Sequence, residues 1–249
     1  GKICFLFLLF GVELHAQEVE IYLKNDQKIS SKPGKVTTVV VGISNNSASD
    51  LRLKSNYFYP EGWNSVSDSK PFVLKAGKKQ TKLLSFIPPN QTPAGEYDLV
   101  FELTETETEK SLQSFSFSVK IEEVVNLSVK GIETPDFVVA GEDIRAKFLV
   151  RNFGNSEQEI FLSPHNCELI GGSTVKLPPN SVKIVEVATT THPNLHKVSR
   201  KSFRLESYVL FDPNIKAHAY LHSRIIPNAN AEMNDIRRLP GYARFSYIG

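Results

Sequence analysis

Cysteine is scarce in this 249-residue chain, which contains only Cys4 and Cys167. Cys4 lies in the apolar N-terminal segment, so the rest of the chain has one thiol and no partner for an internal disulfide. A fold without cross-links must be stabilised by burial of apolar side chains, and this length suffices for two ordinary domains. We interpret Cys167 as a small buried apolar side chain rather than a reactive thiol.

An excess of charge of either sign is also absent, because 29 lysines and arginines stand against 27 aspartates and glutamates. Basic residues occur as short scattered pairs, such as Lys78-Lys79 and Arg237-Arg238, rather than as an extended patch. This balance gives no electrostatic basis for nucleic acid or an anionic membrane as a partner. We expect a protein partner, a neighbouring domain of the same polypeptide, or a carbohydrate; a membrane would be reached only through a missing C-terminal region.

The usual catalytic motifs are missing as well. The sequence has no Gly-x-Ser-x-Gly elbow, no glycine-rich phosphate loop and no His-Glu-x-x-His motif. An acidic run, TETETEK at residues 104–110, does alternate threonine and glutamate. Paired carboxylates act as acid and base only in a cleft that separates their environments, and a hairpin tip offers none. We predict a non-catalytic protein without a cofactor, in which residues 104–110 form a solvated loop.

No apolar run is long enough to cross a bilayer, which takes about 20 residues. The run at residues 3–12 follows Lys2 and precedes a short polar stretch that ends at Ala16. A basic start, a short apolar segment and a small final residue are typical of a secretory signal peptide. We predict a signal peptide at residues 1–16 and an exported protein that is periplasmic, associated with the outer membrane or extracellular.

An apolar stripe with the helical period of about 3.6 residues is absent after residue 17. Alternation with a period of two takes its place. In residues 143–152, apolar side chains alternate with Arg145, Lys147 and Arg151, and residues 37–45 also carry alternate apolar positions. One apolar and one polar face are typical of half-buried antiparallel strands. The sequence therefore predicts an all-β chain.

Two regions of the chain match in order and spacing. Gly34 precedes Asn45 by 11 residues, and Gly141 precedes Asn152 by 11 residues. A repeat offset of 106 to 107 residues is a whole domain, since solenoid units repeat every 20–50 residues or about that. Each copy offers about seven short segments between turn residues, the pattern of an immunoglobulin-like sandwich. We predict two tandem immunoglobulin-like β-sandwiches, at residues 17–122 and 123–227.

The first copy carries five motifs in a fixed order. They are a Pro-Gly start at Gly34, a strand ending at Asn45, a Pro-x-Gly-Trp turn at 60–63, a Leu-x-x-Gly turn at 74–77 and an Ala-Gly-x-Tyr strand start at 94–97. Over residues 18–122 this pattern resembles the NEW3-type module, an immunoglobulin-like domain found beside bacterial sugar-processing catalytic domains and in many exported proteins. The second copy keeps the glycine and the asparagine but lacks the tryptophan, so it resembles a diverged copy.

The single tryptophan, Trp63, stands in the stretch FYPEGWNSV, shortly after Tyr57 and Tyr59. These three aromatic residues are candidate ligand-binding residues, because their rings can stack on a sugar. Alternatively, the preceding turn places Trp63 at a strand start, from where the indole closes the sandwich core. Burial of an aromatic side chain removes about 150–250 Å² from water, so we favour packing. Tyr97, also at a strand start, predicts a tyrosine corner.

A metal site would draw on four residues of the second copy. His165 and Cys167 share one face of the chain if their segment is extended. His192 and His196 are four residues apart, but Pro193 disfavours a helix that would pair them. Together these side chains would suit zinc. Nothing in the sequence brings them together, and we predict no metal site.

The segment SLQSFSFSVKIEEV, residues 111–124, alternates regularly, with Phe115, Phe117, Val119 and Ile121 on one face. This alternation predicts a strand that faces the core. At a sheet edge, such a strand can also receive a partner strand by β-augmentation. Periplasmic pilus chaperones act in this way, and this chain resembles them in size, domain number and signal.

Residues 228–249 read as a polar linker followed by GYARFSYIG, whose alternation predicts the start of a further, truncated domain. This tail resembles the entry to an outer-membrane usher-type barrel. The sequence as a whole predicts a non-catalytic exported interaction or scaffold module, the N-terminal part of a larger bacterial envelope or surface-assembly protein. Two alternatives stay open: an accessory module of a carbohydrate-active enzyme, and a periplasmic chaperone-like protein that acts by strand addition.

Overall fold

A computed structural model describes residues 18–24 and 28–228 of the chain. These residues form strands, turns and loops and contain no helix, and so none of them forms a helix able to cross a membrane. The chain divides into two compact units between Glu122 and Glu123. The predicted signal peptide at residues 1–16 lies outside the described residues, as does the predicted further domain after residue 228.

The first unit consists of two sheets. Its strands are β1 (Val19–Leu23), β2 (Ile29–Ser31), β3 (Thr37–Asn45), β4 (Leu51–Phe58), β5 (Asn64–Ser65), β6 (Phe72–Leu74), β7 (Lys79–Ile87), β8 (Gly95–Glu105) and β9 (Ser111–Ile121). One sheet has the order β1-β3-β7-β5 and the other the order β2-β9-β8-β4-β6. The pairing of β2 with β9 is parallel, and the remaining pairs are antiparallel.

Alternating burial explains why these segments form a sandwich. In β4, Leu51, Leu53 and Ser55 are buried while the residues between them are exposed. The inward side chains of both sheets form one core, in which Phe86 and Phe101 are fully buried. Aromatic rings make up much of this core and its border.

The second unit repeats this construction. Its strands are β10 (Leu127–Glu133), β11 (Phe137–Val139), β12 (Asp143–Asn152), β13 (Gln158–His165), β14 (Glu168–Ile170), β15 (Thr174–Leu177), β16 (Val182–Thr190), β17 (Ser199–Val209) and β18 (Asp212–Ile226). The sheets have the orders β10-β12-β16-β14 and β11-β18-β17-β13-β15. The core is mostly aliphatic and contains two fully buried rings, Phe148 and Phe203.

The strand orders of the two units correspond one to one and follow the immunoglobulin-like arrangement of two facing sheets. The predicted fold class, all-β with two tandem immunoglobulin-like β-sandwiches, is therefore confirmed. Each unit has nine strands rather than about seven. The additional strands are two to four residues long, and segments this short show no alternation in the sequence.

Both units carry a buried asparagine at the end of their second long strand. The Asn45 Nδ2 group donates to the carbonyl oxygens of Ser49 (2.8 Å) and Leu74 (3.0 Å), and its Oδ1 atom accepts from the Ser47 amide (2.9 Å). The side chain therefore satisfies backbone groups of the next loop and of a neighbouring strand end. Buried backbone groups need such partners.

Asn152 makes the same set of contacts in the second unit. Its Nδ2 group donates to the carbonyl oxygens of Ser156 (2.8 Å) and Leu177 (3.0 Å), and its Oδ1 atom accepts from the Gly154 amide (2.8 Å). The asparagines that mark the sequence repeat thus have one structural role, which is to fix the loop that follows their strand.

Tyr97 lies near the start of β8, and its hydroxyl donates to the carbonyl oxygen of Pro93 (3.0 Å). This bond ties the strand start to the loop before it, so the predicted tyrosine corner is confirmed. The ring of Tyr97 also contacts the indole of Trp63, with 5.4 Å between ring centroids.

Candidate functional site

Trp63 immediately precedes β5, at the end of a tight turn in which its amide donates to the carbonyl oxygen of Pro60 (3.2 Å). The side chain is 9% exposed. Its ring stacks on Phe86 at a centroid distance of 5.4 Å and is tilted against Tyr97. The structure therefore places Trp63 in the core of the first unit, where little of its surface is available to a ligand.

Tyr57 and Tyr59 border this core and are half-buried. Their rings stack at a centroid distance of 6.2 Å, and the Tyr57 ring also stacks on Phe101. The Tyr57 hydroxyl donates to the carbonyl oxygen of Asp68 (3.0 Å). Burial raises the pKa of Tyr57, so this hydroxyl is a neutral hydrogen-bonding group.

The three predicted residues line one cleft of about 590 Å³ beside the outer edge of β4. Along with Trp63, its lining includes Tyr57, Phe58, Tyr59 and the serines Ser65, Ser67 and Ser69. Phe58 is 54% exposed. The cleft thus combines ring surfaces with several hydroxyl groups.

This combination suits a neutral polar ligand that has an apolar face, because rings supply contact area and hydroxyls supply hydrogen bonds. The lining contains one charged residue, Lys54, and no carboxylate or histidine. No acid–base pair is therefore present among the residues of this cleft. Ligand binding by Trp63, Tyr57 and Tyr59 stays a prediction, and the geometry assigns the main accessible ring to Phe58 instead of Trp63.

Phe58 lies between the two candidate tyrosines in the sequence but was not itself predicted as a site residue, and the three serines were missed. The serines occur at alternate positions in the stretch SVSDS, which is a weak signal because serine is common in loops. Their position opposite β4 depends on the tertiary fold. The Ser67 hydroxyl accepts from the Ser85 amide (2.6 Å), which holds this loop against β7.

A second feature of the first unit is the edge of β9. β8 pairs with β9 over its length, whereas β2 covers the opposite side only at Val119–Ile121. In residues 18–24 and 28–228, no strand pairs with that opposite side at residues 114–118. Phe117 is buried and the serines at 114, 116 and 118 are exposed, so the predicted alternation of this strand is confirmed. The open stretch reads SFSFS and has no charged residue and no proline.

The corresponding strand of the second unit, β18, differs in its side chains. β11 covers its outer side only at residues 224–226. Before them, the exposed positions of β18 are Pro213, Asn214, Lys216, His218, Tyr220 and His222. Charged side chains along an edge disfavour addition of a further strand. The two edges have the same strand topology, but the open part of β9 presents uncharged serines whereas β18 presents a lysine and larger polar side chains.

The four candidate metal ligands do not converge. Asn166 adopts a positive φ of 61°, so the chain turns between β13 and β14, and the extended segment that would place His165 and Cys167 on one face is not formed. His165 instead lies 3.5 Å from a Glu206 oxygen, and burial raises the pKa of the Cys167 thiol. Within the described part of the chain, no three His, Cys, Asp or Glu residues are grouped to hold a metal ion.

The acidic run forms the turn between β8 and β9, and its glutamates are solvated. Glu107 lies 3.7 Å from Arg52, and both side chains are more than 70% exposed. Thr108 donates to the Glu105 carboxylate (2.6 Å). These contacts stabilise a surface hairpin. Residues 106–110 form the predicted loop, whereas Thr104 and Glu105 are the last two residues of β8.

No protein-family model and no curated protein matches the chain. Among solved structures, a protein of unknown function from Porphyromonas gingivalis W83 is similar at 16% identity and a TM-score of 0.33, covering 84% of this chain and 99% of that one. The YadV chaperone is similar at 12% identity and a TM-score of 0.30, covering 82% and 100%. A family 123 glycoside hydrolase from Clostridium perfringens is similar at 14% identity and a TM-score of 0.31, covering 42% and 27%. Similarity at this level assigns no function to the chain.

Proposed function

We propose that this protein is a non-catalytic, exported interaction module that binds an extended segment of a protein partner along the open edge of β9. The observation that carries this proposal is the uncharged stretch at residues 114–118, which has a strand on one side only among the described residues. An added strand would form main-chain hydrogen bonds with this edge, and its alternate side chains would meet Phe115 and the exposed serines.

Edges of natural sheets are normally protected by charge, proline or a bulge, because unpaired backbone groups attract other chains. The β18 edge has such protection and the β9 edge does not. If this protein simply tolerated unprotected sheet edges, both edges would lack protection. The contrast between them therefore favours a binding partner for β9. Segments that pair readily as strands are short, uncharged and rich in β-branched or aromatic residues. The stretch SFSFS meets part of this description, because it is uncharged and contains two phenylalanines.

The wider setting is part of the same proposal. The motifs at Gly34, Asn45, 60–63, 74–77 and 94–97 support assignment of the first unit to the NEW3-type modules. Lys2, the apolar run and Ala16 support export. In this setting the chain serves in the bacterial envelope or in surface assembly. N-terminal sequencing of the secreted protein tests export and is expected to read from Gln17.

The β9 proposal is tested with synthetic peptides of about 12 residues that alternate Val, Ile or Phe with Ser or Thr. We expect binding of such a peptide to slow amide hydrogen exchange at residues 114–118. The double variant Ser114→Lys/Ser116→Lys places two charges beside the edge and should weaken binding at least about tenfold.

Thr38→Lys is the matched control. Thr38 is exposed on β3 and pairs with Ser85 of β7, so this variant adds a lysine to the sheet of the first unit that does not contain β9. It should bind peptide like the wild type. Peptide binding that is equal in the β9 double variant, or protection that appears away from residues 114–118, would contradict the proposal.

The cleft beside Trp63 supports a second function, that of an accessory carbohydrate-binding module. Its rings and serine hydroxyls match the two faces of a sugar. On a glycan array, Phe58→Ala should lose binding while its unfolding midpoint is unchanged, because Phe58 is exposed and lies outside the core. Val73→Ala, which removes another exposed apolar side chain, is the control. Retained glycan binding by Phe58→Ala would exclude this cleft as the sugar site.

A further inference from the structure

Two arginines lie directly opposite each other on the outer face of the second unit. Arg200 of β17 and Arg224 of β18 are register partners in an antiparallel pair, and both are exposed. Opposite residues in such a pair have Cβ atoms about 4.5–5.5 Å apart, and like charges placed directly opposite each other are destabilising. A counter-charge between the two arginines would remove this unfavourable interaction.

The other arginines that the structure describes in the second unit have partners within the domain. Arg145 pairs with Glu186 (3.4 Å), Arg204 pairs with Glu206 (2.7 Å), and Arg151 lies 4.0 Å from the Phe153 ring centre. For Arg200 and Arg224, the described residues provide neither an ion pair nor a side-chain hydrogen bond. The two unpaired guanidinium groups are therefore the two that face each other.

An apolar side chain completes the row. Phe137 of β11 is the register partner of Arg224, and it is 57% exposed. The row therefore presents two guanidinium groups and one exposed ring side by side across three strands. Two guanidinium groups can hold one carboxylate through several charge-assisted hydrogen bonds.

We propose that Arg200 and Arg224 form a binding site for a carboxylate of an acidic protein segment, with Phe137 contacting an apolar residue next to that carboxylate. The site is in the second unit and is separate from the β9 edge. A bound carboxylate removes the repulsion between the two arginines, which explains why neither has a partner of its own.

The surrounding charges favour a local carboxylate over a long polyanion such as a sulfated glycan. Glu206 lies 2.7 Å from Arg204 and 3.7 Å from Lys216, and so it neutralises the next cations along the face. A polyanion would need a continuous series of unpaired cations. Among the described arginines of this unit, only Arg200 and Arg224 are without a partner, and they form one row.

The experiment measures binding of the full chain to a fluorescent peptide of alternating Glu and Leu, by anisotropy at low salt. We expect saturable binding that weakens with added salt, and no binding of the matched Gln and Leu peptide. The variant Arg200→Gln/Arg224→Gln should bind the acidic peptide at least about tenfold more weakly than the wild type.

Lys130→Gln/Lys183→Gln is the control, because it removes the same charge from exposed positions on the other sheet of the unit. It should bind the acidic peptide like the wild type. Because the arginine double variant leaves β9 unchanged, its result is independent of the β9 proposal. Equal binding by the arginine double variant would overturn the inference, as would tight binding of heparin without binding of the acidic peptide.

Discussion

The two sandwiches have the same strand order and the same asparagine contacts, yet they fill their interiors differently. The first core stacks Trp63 on Phe86 and surrounds it with tyrosines. The second core relies on aliphatic side chains around Phe148 and Phe203. Trp63 is the residue before β5 in the first unit. The residue before the equivalent strand β14 of the second unit is the half-buried Cys167. The comparison teaches that this topology requires alternation and fixed loops, and does not require an aromatic core.

The same comparison applies to the edges. β9 and β18 are equivalent strands, and each is covered on its outer side by a short parallel strand at one end. The first presents serines and the second presents lysine, histidine and tyrosine. A shared fold therefore allows the two units to bind different partners, one through its main chain and the other through its side chains.

The largest expected effect comes from removing the indole. Trp63→Ala should lower the free energy of unfolding of the first unit by about 4 kcal/mol, because a buried tryptophan leaves a large cavity. Cys167→Ala should cost about 0.5 kcal/mol, since that side chain is half-buried and small. Urea titrations followed by far-UV circular dichroism measure both changes. An unchanged midpoint for Trp63→Ala would show that the indole is not part of the core.

A smaller but symmetric effect is expected for the two asparagines. Asn45→Ala and Asn152→Ala should each cost about 2 kcal/mol, because each leaves buried carbonyl groups without a donor. Trp63 is the only tryptophan, so its fluorescence reports on the first unit. Labelling of Cys167 in a Cys4→Ser background reports on the second unit.

Each asparagine variant should shift only the signal of its own unit, because each unit has its own core. Asn46→Ala is a control that changes the residue next to Asn45 and leaves the buried side chain in place. Equal shifts of both signals by either variant would show that the two sandwiches unfold as one.

The sequence was sufficient for the repeating parts of this fold and insufficient for its sites. Alternation in β9 and β12 indicates which side chains face the core, since side-chain direction follows directly from a period of two. Whether β9 has an open edge depends on where β2 stops pairing, and that is a tertiary property. The pairing of Arg200 with Arg224 likewise depends on the register of a long hairpin, which no local pattern encodes.

The smallest expected effect concerns Asp50, which binds the turn between β6 and β7. In the first unit, the Asp50 carboxylate accepts from Lys75 Nζ (2.6 Å) and from the Ala76 amide (3.0 Å). In the second unit, the equivalent turn begins with Pro178 and Pro179, whose rings already fix the backbone. The hydrogen bond from Lys75, and then that from the Ala76 amide, lower the pKa of Asp50.

Because the folded pKa of Asp50 lies below the unfolded value of about 3.9, its stabilisation is present above that value. The stabilisation is lost as the pH falls through the folded pKa. Asp50→Asn should therefore be slightly less stable than the wild type at pH 7, and this difference should shrink toward zero in acid. Urea midpoints from Trp63 fluorescence at a series of pH values measure it, and Glu157→Gln in the second unit is the control. A difference between wild type and Asp50→Asn that grows as the pH falls would contradict this account, because an ionised carboxylate is what the Lys75 turn binds.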